Sequence, residues 1–272
     1  MNLNKPLIKV CQILKISRAS VYYAKYHPKK EDIFSEKVLE VFEENLSSYG
    51  RRRLKKALEK QNIIISEKRI TKILKENQLE AKHGRKKLAK NIYTADKEKY
   101  IAENLIKGIK VEATNTVWGS DTTEFKCKDG VLYASGIIDV YDKTLVNLSL
   151  TEKVPDSELA QRSLRSAINE YGAPKFLHTD RGSIYTSKDF KKLLKGTILQ
   201  SMSKPHSPNE NQYIETFWKT LKTEIGRTKH LTKQELKKVV SYYVFYYNTE
   251  RMHSSIGYVA PLEKRFSSQI NI

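Results

Sequence analysis

Three acidic residues in the second half of this 272-residue chain, Asp121, Asp180 and Glu215, have the types and order needed to hold divalent cations. Carboxylate oxygens are ligands that Mg²⁺ accepts, and several converging in one cleft can support two ions roughly 4 Å apart on a phosphodiester. In such a site one ion activates a water or 3′-hydroxyl and the other stabilises the departing oxygen. That chemistry needs no covalent protein intermediate, so no serine, tyrosine or histidine is assigned as nucleophile. Each acid taken alone is ordinary: Asp180 before Arg181-Gly182 also reads as a turn. Asp139 and Asp142, near another strand end, are assigned turn or structural roles. His178, two residues before Asp180, points to the same side of its strand, where an orienting role and a buried structural one both fit. The six histidines and two cysteines, Cys11 and Cys127, form no ligand-spaced cluster, which argues against zinc and against a disulfide framework.

The elements that must position the acids follow from hydrophobic periodicity. Val117–Cys127, Val131–Val140 and Leu145–Thr151 alternate as strands, with Asp129-Gly130 as the first hairpin turn. Ser157–Tyr171 reads as a helix, Lys175–Thr179 as a fourth strand ending at Asp180, Ser187–Leu194 as a helix and Ile198–Met202 as a fifth strand. A polar loop through Pro205 and Pro208 leads to a helix from Gln212 to Arg227. A three-stranded meander followed by helix, strand, helix, strand, helix is the order of an α/β, ribonuclease-H-like fold: a mixed five-stranded sheet with helices on both faces. Its first and fourth strands lie side by side, which brings Asp121 to Asp180, and the last helix lays Glu215 across them. On that helix Ile214, Phe217, Trp218, Leu221 and Ile225 form the buried stripe, while Glu215, Lys219 and Lys222 share an adjacent ridge suited to phosphates.

The charge indicates the substrate. Net charge is +19 with a pI near 9.6, and residues 1–112 carry 27 Lys and Arg against 14 Asp and Glu. A polyanion is the expected partner, and the main surface for it is N-terminal. No long apolar span or lipidation signature favours a membrane, so a cytoplasmic location is expected. Leu7–Leu14 and Ser20–Tyr26 read as short helices around a capping serine at Ile16-Ser17. Apolar spacing then gives helices around Val38–Leu46 and Leu54–Leu58, and a third capped by Ser66. In the third, Ile70, Ile73 and Leu74 face inward, while Lys68, Arg69, Lys72 and Lys75 form a basic face fit to lie against DNA phosphates. Arg51, Arg52, Arg53 and the run Arg85, Lys86, Lys87 extend this basic surface. The expected organisation is a helical segment at 1–30, an all-α, helix-turn-helix-like DNA-binding module at 31–81, a basic linker at 82–112 with a short helix around Lys97–Ile106, a catalytic core at 113–230, and a C-terminal helix and tail at 231–272.

Three segments carry a family resemblance. Trp118-Gly119-Ser120-Asp121-Thr122-Thr123, His178 through Ser187, and Ser201-Met202-Ser203 through Ser207-Pro208-Asn209-Glu210-Asn211 to Glu215-Thr216-Phe217-Trp218 resemble the catalytic motifs of bacterial insertion-sequence transposases with a retroviral-integrase-like core, of the OrfB type. Ser48-Tyr49-Gly50-Arg51-Arg52-Arg53 resembles that family's helical DNA-binding module, and Tyr247-Asn248-Thr249-Glu250-Arg251-Met252-His253-Ser254 through Pro261 resembles its C-terminal signature. The stretch before the glutamate looks one residue short. The resemblance implies a DDE transposase: Asp121, Asp180 and Glu215 as the catalytic and metal-binding triad, two Mg²⁺ ions replaceable by Mn²⁺, and strand cleavage and transfer at element ends. It implies terminal inverted repeats and target DNA as double-stranded partners, an OrfA protein or OrfA-OrfB fusion beside this chain, homo-oligomers on DNA, and residence in the bacterial cytoplasm with the nucleoid. Two other functions are weighed: an OrfB subunit that binds DNA or regulates without acting alone, and a ribonuclease-H-type nuclease that cuts without joining.

Overall fold

The computed structural model describes residues 11–13, 15–26, 32–82, 102–203 and 211–270. Its centre is a five-stranded sheet of β1 (Val117–Cys127), β2 (Gly130–Asp139), β3 (Leu145–Thr151), β4 (Phe176–Thr179) and β5 (Leu199–Met202), in the order β3-β2-β1-β4-β5. The meander β1-β2-β3 is antiparallel and β1-β4-β5 is parallel. The sheet is thus the mixed one expected, with β1 beside β4.

Numbering helices in chain order, α1 (Arg18–Tyr26), α2 (Ser35–Glu44), α3 (Arg51–Lys60) and α4 (Glu67–Glu76) precede the sheet. Within and after it come α5 (Ser157–Tyr171), α6 (Ser183–Thr186), α7 (Lys188–Leu194), α8 (Gln212–Ile225), α9 (Lys233–Thr249) and α10 (Pro261–Ile270). Strand alternation sorts the core into two layers. Phe125, Leu132, Ala134 and Ile138 face Ile214, Phe217, Trp218 and Leu221 of α8 and the aromatic stripe of α9. Trp118, Ile137, Val146 and Leu177 face α5 and α7 on the other side. A third core, made by α2, α3 and α4, closes the helical module and includes Met252 from the far end of the chain.

Caps account for several boundaries. Asp156 accepts the Leu159 N–H at the start of α5, Ser66 accepts Arg69 N–H at α4, and Thr232 with Glu235 forms a capping box at α9. The helix expected over Ser187–Leu194 is present as α7, capped by Ser187, and a separate turn of helix not expected from the sequence, α6, precedes it. One expectation needs correction. Of the short helix expected around Lys97–Ile106, the described residues 102–106 form coil and the start of a turn, because the Asn104 side chain accepts the Ile106 N–H and substitutes a local bond for the helical one. The tail contains two helices, α9 and α10.

Candidate active site

The register of the sheet assembles the acids. In the parallel β1-β4 ladder Val117 lies beside Phe176, Trp118 beside Leu177 and Gly119 beside His178. Extending it two residues sets Asp121 alongside Asp180, just past the end of β4. Asp121 points to the α8 face, as Phe125 does, and Glu215 lies in the first turn of α8 with Asp180 and Glu215 exposed and Asp121 half-buried.

The electrostatics follow. Burial, then the charge of Asp180, pushes the Asp121 carboxyl up to about 7, with Glu215 adding to the rise and the Thr122 N–H and the Trp218 indole opposing it. Burial and Asp180 likewise raise Glu215. The three acids therefore sense one another. They do not form a closed cage: among the described residues no three His, Cys, Asp or Glu side chains converge tightly enough to hold a metal ion. Asp180 accounts for part of this, because its Oδ1 accepts the Gly182 N–H at 2.9 Å and the carboxyl folds over that glycine, where a Cβ would lie 2.9 Å from Oδ1. Hard oxygen donors that repel one another suit a divalent cation in donor type and charge.

Neighbouring side chains stiffen the site. Ser120 Oγ and Tyr185 Oη are 3.0 Å apart, tying β1 to α6, and Asn211 Nδ2 donates to the Ser120 carbonyl at 3.2 Å, tying β1 to the start of α8. Sequence reasoning missed these links, although Ser120, Tyr185 and Asn211 all lie within the quoted motifs. His178 is buried in the sheet with Nδ1 2.9 Å from Ser201 Oγ, which also accepts the Leu105 N–H. Asp139 and Asp142 are fully buried with Arg265 of α10: Arg265 Nη1 reaches Asp142 Oδ2 at 2.9 Å and Asp139 Oδ2 at 3.3 Å.

The basic residues divide. Arg51, Arg52 and Arg53 of α3, Lys75 of α4 and Lys219 of α8 line one groove of about 910 Å³ between the helical module and the core, bordered by Thr216 next to Glu215. Lys68 and Lys72 are exposed on α4, whereas Arg69 is held by Asp32 at 2.5 Å and stacks over Phe34. Arg51 is also paired, with Glu67 at 2.9 Å. Lys222 turns away from Lys219 and donates to Thr123 Oγ1 of β1 at 2.6 Å. Arg85, Lys86 and Lys87 lie outside the described residues.

Comparison with known proteins is consistent along the chain. A family model described as an integrase core domain matches residues 111–208, a second of the same description matches 197–261, and an HTH-like domain matches 29–87. The chain is 35% identical to the transposase for insertion sequence element IS904 of Lactococcus lactis, over 85% of this chain and 93% of that one. It is 30% identical to a 31 kDa protein of insertion element IS600 from Shigella sonnei, over 93% and 96%. A solved structure of the HTLV-2 integrase catalytic core domain in complex with magnesium aligns with 57% of this chain and 97% of that chain, at 17% identity and a TM-score of 0.44. With the helical module, the mixed sheet and relatives matched over nearly their whole length, the chain belongs to the bacterial insertion-sequence transposases of the OrfB type, DDE polynucleotidyl transferases with an integrase core.

Proposed function

We propose that Asp121, Asp180 and Glu215 are the catalytic carboxylates of this transposase and hold its divalent ions, Mg²⁺ or Mn²⁺. The observation that carries the reading is the charge of Asp180 acting on both other carboxyls, with Asp121 pushed up to about 7 at the junction of β1, β4 and α8. Bound there, two divalent cations supply Lewis acidity for the attacking hydroxyl and for the departing 3′-oxygen. The protein supplies position. Asp121 is fixed by the sheet, and Glu215 by a helix packed across it. Asp180 sits in the turn after β4, where its Oδ1 accepts the Gly182 N–H. In the transfer itself a 3′-hydroxyl oxygen bonds to phosphorus, the original 3′-oxygen leaves, and the hydroxyl proton passes to solvent.

The groove from Thr216 to Arg51, Arg52, Arg53 and Lys75 is the path of the DNA beside the scissile bond, with Lys219 nearest Glu215 and Lys68 and Lys72 extending the basic surface on α4. Arg69 and Lys222 reach phosphate only by exchanging Asp32 and Thr123 for it. Double-stranded DNA carrying terminal inverted repeats, target DNA, and an OrfA protein or fusion are the partners of this reading, with homo-oligomers assembling on DNA. No helix among the described residues is long and apolar enough to cross a membrane.

The test is strand cleavage and joining on a labelled donor end with Mn²⁺, with OrfA supplied, for wild type, Asp121→Asn, Asp180→Asn and Glu215→Gln. Both cleavage and joining fall by more than about 10³-fold in each variant. Cleavage without joined product in the wild type would instead favour a nuclease.

A further inference from the structure

Antiparallel partners point their side chains to the same face of a sheet. The partner of Asp121 on β2 is Gly136, so the position beside Asp121 on the α8 face carries no side chain. That gap is filled. A Cβ on Gly136 would lie 2.7 Å from Trp218 Cζ2, 2.8 Å from Cη2 and 3.3 Å from Ile214 Cδ1, so the six-membered edge of the indole rests directly on the glycine backbone. Trp218 follows Glu215 by three residues, which puts it one turn along α8 on the side facing the sheet.

The indole N–H is the unusual feature of this packing. Trp218 is 5% exposed, and its Nε1 completes no hydrogen bond among the described residues. A buried indole N–H ordinarily finds a partner, and one left without costs about 1–3 kcal/mol. A phenylalanine would fill the same stripe at no such cost. The ring edge next to this N–H lies on Gly136, and Gly136 is the β2 partner of Asp121 on the same face, so the Asp121 carboxyl is the neighbouring acceptor. A carboxylate offers two oxygens, and a donor on one sets the rotation that aims the other.

We propose that Trp218 is a positioning residue for Asp121: its indole N–H is the donor that orients the Asp121 carboxylate toward a divalent cation, and Gly136 is the clearance that admits the ring. This rests on the reading of Asp121, Asp180 and Glu215 as the ion site. Trp218 touches neither the cation nor the DNA. Its effect is on how well Asp121 binds, and the cost of its half-made hydrogen bond is borne by the protein before the ion arrives.

The experiment compares the full chain with Trp218→Phe and Asp121→Asn by melting curves across a Mn²⁺ series, beside strand joining. A residue that only packs would lower the melting temperature when trimmed. Here Trp218→Phe melts at or above the wild-type temperature without Mn²⁺, while the Mn²⁺ concentration giving half the stabilisation rises about 10-fold. Joining drops about 10-fold at limiting Mn²⁺ and recovers at saturation. A second measurement uses the wild type alone. The chain has two tryptophans, and Trp118 already donates to Asp139 Oδ2 at 3.2 Å, so its indole signal is an internal reference. On Mg²⁺ titration the Trp218 indole proton moves downfield and that of Trp118 does not. A wild-type Mn²⁺ midpoint in Trp218→Phe, or an unmoved Trp218 indole signal, overturns the proposal. Should Mn²⁺ stabilise Asp121→Asn as fully as wild type, the ion site itself is misplaced and the proposal falls with it. Should it fail there but persist unchanged in Trp218→Phe, the ion site stands and only the role of Trp218 falls.

Discussion

Of the three acids, Asp121 is the one on which burial and neighbouring charge act most strongly, and the direction of its shift fixes a pH dependence. Its folded value of about 7 lies above the 3.8 of the unfolded chain, so the folded state holds the proton more tightly. Stability from that proton is full below about pH 4, declines as pH rises toward 7 and is absent above. Asp121→Asn cannot ionise. Its advantage over wild type in metal-free melting should therefore open between pH 4 and 7 and stay constant above. For a half-buried group the plateau is about 1 kcal/mol, or about 2–4 °C. A flat difference across that range would contradict the shift. Arg265 shows the opposite kind of residue. Asp139 and Asp142 could be read from the sequence as structural, but their partner lies 126 and 123 positions away on α10, a distance at which no local pattern points to it. Arg265→Met leaves two buried carboxylates uncompensated and should cost about 3–5 kcal/mol, seen as an early melt with no change in ion affinity of the folded fraction.

At the level of elements, the strands were readable because their apolar residues alternate and the caps use local chemistry. β1 and β3, α5 and the start of α8 fall where alternation and helical spacing place them. What the sequence hid is pairing. The 2.7 Å approach of Trp218 to Gly136 is made by two residues that read separately as a helix stripe and a strand interior, and nothing local links them. Likewise the basic face of α4 was visible as periodicity, but the engagement of Arg69 with Asp32 came from a turn outside the helix. The exposed members of that face make a direct prediction. Charge reversal of Lys68, Lys72 and Lys75 together should weaken DNA binding and lower the slope of log affinity against log salt by about 2–3, since each lost phosphate contact removes roughly 0.9. An unaltered slope would take α4 off the DNA surface.

Across the whole molecule, the C-terminal signature acts as the clamp between the helical module and the core. Tyr49 Oη accepts the Met252 N–H at 2.7 Å, Arg251 Nη2 pairs with Glu224 of α8 at 2.7 Å in full burial, and Lys60 meets Glu263 at 3.0 Å. His253 sits inside this clamp, edge-on to Tyr247, with Arg251, Arg53 and Lys143 around it, and burial followed by those charges holds it well below its ordinary value of 6.5. A base depressed in the folded state contributes stability above pH 6.5 that is lost as pH falls below it. Wild type should lose melting temperature between pH 6.5 and 5 more steeply than His253→Gln, and equal slopes would remove His253 from the clamp. Holding the module fixed keeps Arg51, Arg52 and Lys75 across one groove from Lys219 and from Thr216, the neighbour of Glu215 in sequence. The central claim is that those carboxylates, from β1, the end of β4 and α8, make one ion site. Titration of Mn²⁺ into the complex with a donor DNA end, followed by the electron paramagnetic resonance of the free ion, measures it directly. Wild type should bind two ions per active site, and Asp121→Asn, Asp180→Asn and Glu215→Gln should each lose affinity by about 10-fold or more. Wild-type Mn²⁺ binding in any one of the three would contradict the account.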